Sequence, residues 1–343
     1  MVLNNKILIN FYYPHPVDIG AIPESEDSYV IRRPGNYVWT VKTYALLQAS
    51  GFACTLTSTM PEEGIIITHR NFLPDHLAPN SKQLFVCIVS DTHRHPYAQV
   101  HLLQNQCDSL IRRPSNLWTS AYMPHWTESG LRPRDSARMD RFVNIAYFGL
   151  DARLAPQLRA ASFSKLMAER GFRFLIVDSG KWNDYSEVDA VLAVRSFAAV
   201  PFYKHPPTKL YNTWMAGVPA LLGHESAFLA ERKNELDYFE VGSVAQILET
   251  LEHLRDNPEL RAAVAKNCAE RALEVTPEAI VERWIAFCDN TAVSAYTTWL
   301  AKRPSQINHF LFRRKIAYTW FRFSDFAYRS VVMLRKQVMR FIG

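Results

Sequence analysis

Between Lys204 and Pro219 the chain reads Lys-His-Pro-Pro-Thr-Lys-Leu-Tyr-Asn-Thr-Trp-Met-Ala-Gly-Val-Pro, and this run holds the residues best suited to chemistry. Thr208 follows two prolines and is placed to cap a helix, and Gly217 ends that helix directly before a strand. The N–H groups at such a helix start, with Lys204 and Lys209 beside them, suit an anion such as a diphosphate. Asn212 lies one turn further along the face of Thr208, within reach of a ribose hydroxyl. A solvated helix start that holds two lysines is the plainer alternative.

A second group sits upstream. The apolar run Leu84–Ser90 delivers Asp91-Thr92-His93-Arg94-His95 at its carboxyl end. General-base activation of a hydroxyl needs such a residue facing a cleft, either Asp91 orienting His93 or Asp91 acting directly. The competing reading is a turn before Pro96, where Asp and His are common caps. His69-Arg70 follow another strand end and form a second candidate pair. His125, between Pro124 and Trp126, borders the same region, although a lone His beside a Trp is more often simply packed. Asn36 belongs to Arg33-Pro34-Gly35-Asn36, where a glycine lets a loop approach a substrate. Asn36, His69 and His125 are the candidate acceptor contacts.

Short apolar runs alternating with longer periodic ones must position these groups, which is the βαβ pattern of doubly wound parallel sheets. Ile7–Phe11, Phe52–Thr57, Ile65–Thr68 and Leu84–Ser90 read as buried strands, with a helix from about Asn36 to Ser50 stopped by Gly51. The polar stretch 127–141, with seven charged residues, Gly130 and Pro133, reads as an interdomain linker. The pattern then restarts with strands Val143–Phe148, Phe172–Val177, Val188–Val194 and Val218–Leu222. Helices are expected over Ala155–Arg170, Thr208–Ala216, Ser243–Arg255, Pro258–Leu273 and Pro277–Asn290. The expected organisation is two Rossmann-like α/β domains, 1–126 and 142–290, facing a cleft, and a helical tail over 291–343.

Size and composition agree with this. A chain of 343 residues that is 48% hydrophobic and 21% charged has the length of two domains and the composition of a globular protein. The net charge of +6 is uneven: from Phe310 onward there are eight basic residues and one acid, so the body is close to neutral. A near-neutral body argues against a nucleic-acid-binding fold. The five cysteines show no metal spacing, no run reaches the ~18 apolar residues of a membrane span, and no leader is evident. A cytoplasmic protein is the expectation.

The run ending in Ala-Gly-Val-Pro resembles the donor-site signature of GT-B glycosyltransferases, in which a helix of the C-terminal domain enters an Ala-Gly-Val-Pro strand. Asn144-Ile145-Ala146-Tyr147-Phe148-Gly149 is similar to the opening strand and glycine turn of that family's donor domain. The resemblance implies that Gly149 brings backbone to the donor phosphates and that Arg195 faces them. It further implies that Glu225 and Ser226 hold the donor sugar, and that the loop from Asp178 to Trp182 borders the base. The two glutamates that many retaining members place eight residues apart are Lys204 and Asn212 here, so Asn212 must hold ribose without a carboxylate. There is no Asp-x-Asp, and basic residues with a helix start take the role of a metal. The implied activity is transfer of a hexose-type sugar from a nucleotide-sugar donor to a hydroxyl of a glycan or lipid-linked saccharide, as in polysaccharide biosynthesis. No metal and no cofactor are expected. A nucleotide-sugar 2-epimerase-like isomerase and a non-catalytic nucleotide-sugar-binding protein are the alternatives.

The tail adds a partner. On a helix, Phe312, Ile316, Trp320, Phe323, Ala327, Val331, Leu334, Val338 and Phe341 fall on one face, while Lys315, Arg322, Arg329 and Lys336 recur every seven residues. An aromatic face against a basic one is the composition of an interfacial membrane helix, so 310–342 is expected either to contact an anionic membrane or to pack on the first domain. A nucleic-acid partner is not expected.

Overall fold

The computed structural model describes residues 7–18, 34–108, 111, 117–198 and 200–342, with side chains as far as Phe323. Arg33 of the expected glycine loop lies outside these residues, as do the side chains of Ala327, Arg329, Val331, Leu334, Lys336, Val338 and Phe341.

The N-terminal half builds one six-stranded sheet from β1 (Ile9–Tyr12), β2 (Thr55–Thr57), β3 (Gly64–His69), β4 (Gln83–Ile88), β5 (Val100–Leu103) and β6 (Thr119–Tyr122). All neighbours are parallel, in the order β2-β1-β3-β4-β5-β6. β3 and β4 are buried on both faces, as their unbroken Ile, Leu, Phe and Val content requires. β5 and β6 were not expected from the sequence. Val-His-Leu-Leu and Thr-Ser-Ala-Tyr are short and carry polar residues, yet β5 pairs with β4 and β6 in turn with β5, extending the parallel ladder.

The second half repeats the plan with β7 (Asn144–Phe148), β8 (Arg173–Val177), β9 (Ala190–Ala193), β10 (Ala220–Leu222) and β11 (Phe239–Glu240). Their order, β11-β10-β9-β7-β8, is again parallel throughout. Numbered within each half, the first five strands of both sheets follow the order 2-1-3-4-5. The strand order therefore reverses between the first and third strands, where loops part and leave a crevice at the carboxyl ends. Two such sheets facing one cleft form the GT-B architecture that the motif resemblance implies.

The stretch 127–141 connects the two halves and is strapped to the second domain. Arg132 bridges Asp184, the Arg134 N–H donates to the Ala216 carbonyl at 3.2 Å, and Arg138 pairs with Asp189. The C-terminal domain ends earlier than residue 290. Cys268 and Val275 belong to the second core, whereas Ile280, Trp284, Phe287 and Cys288 pack with Phe11, Trp39 and Leu47 of the first. The Pro277–Ala286 helix, capped by Thr276, continues through Phe287–Ala292 and Val293–Leu300, and all three segments bury apolar residues in the N-terminal core.

The last helix, Pro304–Ile342, turns a different face to the protein from the one its apolar stripe marks. Ile307, Arg314 and Tyr318 are buried, and Phe310 packs on the N-terminal core. Phe312, Ile316, Trp320 and Phe323 are exposed. Among the described residues no helix is long and apolar enough to cross a membrane.

Candidate functional site

The crevice at the second sheet's reversal point is built from loop ends that the strands deliver. β7 ends at Phe148 and hands Gly149 and Leu150 to the rim. β9 ends at Ala193, two residues before Arg195, and the Thr208–Ala216 helix points its first turn at the same place. Together with Asp91 and Glu128 these residues enclose a cleft of about 330 Å³, lined also by Tyr147, Arg153, Trp182, His205, Lys209, Asn212 and Phe228.

The helix start differs from the expectation in one respect. Pro207, not Thr208, occupies the cap position, and the N–H groups of Leu210 and Tyr211 both converge on the Pro207 carbonyl. Thr208 is the first helical residue, and its hydroxyl is buried with no hydrogen-bond partner. At the other end Gly217 adopts φ 68°, a left-handed conformation that favours glycine, and so stops the helix before β10.

Arg195 and Glu225 meet directly: an Arg195 guanidinium N–H donates to Glu225 Oε2. Glu225 is 5% exposed. Burial pushes its pKa up, and the charges of Arg195, Lys209 and His205 pull it back only in part. The guanidinium also lies 5.8 Å from the Phe202 ring centre, and its Nε is buried without a partner. Two residues assigned by the resemblance to different parts of a donor thus hold each other. Lys209 extends over the Tyr147 ring at 5.6 Å.

Lys204 does not join them. Its Nζ lies 3.0 Å from His93 Nδ1 in the other domain and is absent from the cleft lining. The expected trio of cations therefore reduces to Arg195 and Lys209 inside the cleft. Asp91 and His93 are also separated. Asp91 lines the cleft and contacts His205 Nδ1 at 3.3 Å, while His93 faces Lys204 and packs its ring on Phe321 of the terminal helix. Burial works against the Asp91 charge, but the hydrogen bond and charge of His205, with His125 and Arg195 nearby, outweigh it and hold the carboxyl below its usual range.

Asn212 lines the cleft, but its side chain is already engaged: Oδ1 accepts the Glu128 N–H at 3.0 Å, and the amide also hydrogen-bonds Tyr185. Its effect is to bring Glu128, a carboxylate, to the cleft wall. Gly149 faces a different constraint from the one expected. A Cβ there would stand 2.6 Å from the Tyr147 hydroxyl, so the glycine makes room for a tyrosine two residues back.

The remaining candidates fall outside the cleft lining. Asp178 is exposed and caps the Ser179–Lys181 turn by accepting the Gly180 N–H at 2.9 Å. Ser226 Oγ accepts from Asn105 Nδ2 at 3.0 Å across the domain boundary. His69 is buried, accepts the Asn71 N–H and has its pKa pushed down to about 4 by burial. His125 donates from Nδ1 to the Trp126 carbonyl at 2.7 Å and packs edge-on against Trp39, with burial again lowering its pKa. Asn36 is half-buried, its Oδ1 without a partner. These histidines are held as packing and capping groups. Among the described residues no cluster of three His, Cys, Asp or Glu could hold a metal ion.

Trp182, which closes the loop that the resemblance sets beside the base, lines the cleft, and so do Tyr147, Arg153, His205 and Glu128, to which sequence reasoning assigned no role. Each lies within or just beyond a segment already singled out. Their signal was position at a strand or helix end rather than residue type. Gln104 and Asn105, just past β5, were also missed. Gln104 Nε2 donates to both Asp91 Oδ1 and the Lys204 carbonyl at 2.8 Å, and Asn105 Nδ2 reaches the His205 carbonyl at 3.2 Å.

No protein-family model matches this chain, and no curated protein matches it either. Among solved structures it is similar to Anabaena HepE in complex with UDP-glucose, at 11% identity over 83% of this chain and 100% of that one, with a TM-score of 0.47. It is also similar to sucrose-phosphate synthase from Thermosynechococcus elongatus, at 11% identity over 78% and 82% of the two chains and a TM-score of 0.47. The corresponding values for TarM are 10%, 71%, 57% and 0.45.

Proposed function

We propose that the cleft binds a nucleotide-sugar and that the protein transfers the sugar to a hydroxyl of a glycan or lipid-linked saccharide, with protein cations serving in place of a metal. The observation that carries this reading is a pair of orphaned polar atoms. Arg195 Nε and Thr208 Oγ1 are buried, without partners, and belong to residues lining the same cleft beside Lys209 and a helix start. Leaving such groups unpaired costs free energy that an anionic, oxygen-rich ligand returns.

In this reading the diphosphate sits against the first turn of the Thr208–Ala216 helix, where N–H groups and Lys209 meet its charge. Arg195 is shared between the diphosphate and Glu225, leaving the Glu225 carboxylate to accept from sugar hydroxyls. Glu128, whose backbone Asn212 positions, is the carboxylate at the cleft wall that we assign to the ribose, and Trp182 is the aromatic surface for the base. As the bond from the anomeric carbon to the phosphate oxygen breaks, charge grows on the diphosphate. Cations already in place stabilise it without reorganising. The acceptor oxygen bonds to the anomeric carbon and gives its proton to Asp91, the one of the two candidate bases that lines the cleft.

Thermal unfolding with UDP, GDP and ADP tests the donor site, because a ligand that binds only the folded state raises apparent stability by mass action. At least one of the three is expected to raise the midpoint in the presence of a chelator, and Lys209→Ala is expected to abolish most of that rise. No shift with any of them would overturn the reading.

A further inference from the structure

A second cavity, of about 380 Å³, lies where the terminal helix joins the N-terminal domain, and it shares no residue with the interdomain cleft. Its lining includes Lys302, Ser305, Gln306, His309, Arg313 and Arg314 and, among the described residues, no carboxylate. Arg314 is only 4% exposed. It donates from Nη1 to the Ala98 carbonyl at 3.0 Å and stacks on the Phe310 and Trp118 rings at 4.3 and 5.1 Å. Arg94 also lies over Trp118, at 4.8 Å. Among the described residues no carboxylate pairs with Arg314. Burial, then the neighbouring Arg313 and Arg94, push its pKa down to about 9. A guanidinium held away from water among like charges is costly until an anion joins it.

The same helix continues the site. Gln306, His309, Arg313, Ile316, Trp320 and Phe323 follow at steps of three or four, so they form one strip along the helix. Its first half borders the cationic cavity. Its second half is apolar and open, with Ile316, Trp320 and Phe323 exposed by 56%, 71% and 64%. A charged pocket for an anion that leads directly into an exposed apolar strip has the polarity of an amphiphile.

We propose that this strip docks on an anionic lipid bilayer, with a lipid phosphate in the cavity against Lys302, Arg313 and Arg314 and with Ile316, Trp320 and Phe323 in the interfacial layer. A soluble phosphate accounts for the cavity but leaves the apolar half uncovered. A second copy of the chain covers the apolar half but sets two basic surfaces against each other, since the chain from Phe310 carries eight basic residues and one acid. An anionic bilayer satisfies both halves. The proposal does not depend on the donor reading, because the two cavities are separate.

The test is flotation of the full chain with vesicles of phosphatidylcholine alone and of phosphatidylcholine with phosphatidylglycerol. Capture is expected on the anionic vesicles only and is expected to weaken with added salt. Arg313→Glu should reduce it by about fivefold or more, and Ile316→Ser with Trp320→Ser by about tenfold or more. These three positions are exposed, so cooperative unfolding near the wild-type midpoint should confirm that each variant is folded. Equal capture by neutral vesicles, or capture unaffected by these substitutions, would overturn the proposal. So would a dimer dissolved by the double substitution without vesicle binding, or stabilisation by inorganic phosphate alone without vesicle capture.

Discussion

His205 Nδ1 of the C-terminal domain lies 3.3 Å from Asp91 Oδ1 of the N-terminal domain, and Gln104 Nε2 donates to the same oxygen at 2.8 Å. The carboxylate that closes the cleft from one side is therefore oriented by a residue from each domain. Its charge is favoured by these partners, so Asp91 stays ionised to a pH below the ordinary carboxylate value of about 3.9. If Asp91 accepts the acceptor proton, the acid limb of the kcat/KM profile should fall below that value. Asp91→Asn should lower kcat by about 10²–10⁴-fold with donor affinity retained. An acid limb in the ordinary histidine range would point to an imidazole instead.

The lysines and Arg195 separate by location. Arg195→Ala and Lys209→Ala should each weaken the affinity for the stabilising nucleoside diphosphate by roughly 10- to 100-fold, the range for a lost charge-assisted hydrogen bond. Lys204→Ala, whose ammonium faces His93, should change that affinity far less. Isothermal titration of the three variants provides the comparison, and equal losses at all three would reject the placement of Lys204 outside the site.

Transfer and isomerisation differ in their need for a second substrate. Incubation with donor alone should yield no altered sugar, because the candidate base Asp91 comes from the N-terminal domain, whereas Arg195 and Lys209 come from the C-terminal one. Chromatography of the recovered sugar reads the outcome, and an epimerised product without acceptor would favour the isomerase alternative.

Asp189 anchors the second domain. It is buried, accepts from Arg138 Nε and Nη2 at 2.9 and 2.7 Å, and receives the Val143 and Asn144 N–H groups at 2.9 and 2.8 Å. Burial opposes its charge, but these donors outweigh burial and hold its pKa below the usual value. Because the folded pKa is the lower one, the stabilisation is complete above about pH 3.9 and is lost as the pH falls through the folded value. Asp189→Asn should cost about 3–5 kcal/mol at neutral pH in denaturant unfolding, with the difference from wild type shrinking in acid.

Gly149→Ala should destabilise by about 1–3 kcal/mol, since the new methyl group meets the Tyr147 hydroxyl and forces the ring to move. Tyr147 lines the cleft beneath Lys209, so nucleotide affinity should fall as well. A thermal melt with and without the nucleotide measures both effects.

Much of the architecture was legible because buried parallel strands write themselves as unbroken apolar runs. Gly64–His69 and Asn144–Phe148 fall within a residue or two of their expected positions, and the Thr208–Ala216 helix matches at both ends. What could not be read were partners. Lys204 and Lys209 sit five positions apart beside one helix start, yet one turns to the other domain and the other to the cleft. Charge pattern alone carries no such direction. The terminal helix shows the same limit. Its apolar stripe alone did not say whether it would be packed or left open, and it is left open, while Arg314, stacked on Phe310 and Trp118, lies on the buried face.

The chain passes between the two lobes twice, once through 127–141 and again between Val275 and Ile280, where the core it serves changes. Two covalent crossings tether the lobes at two places, so any change in their relative position has to bend both connections together.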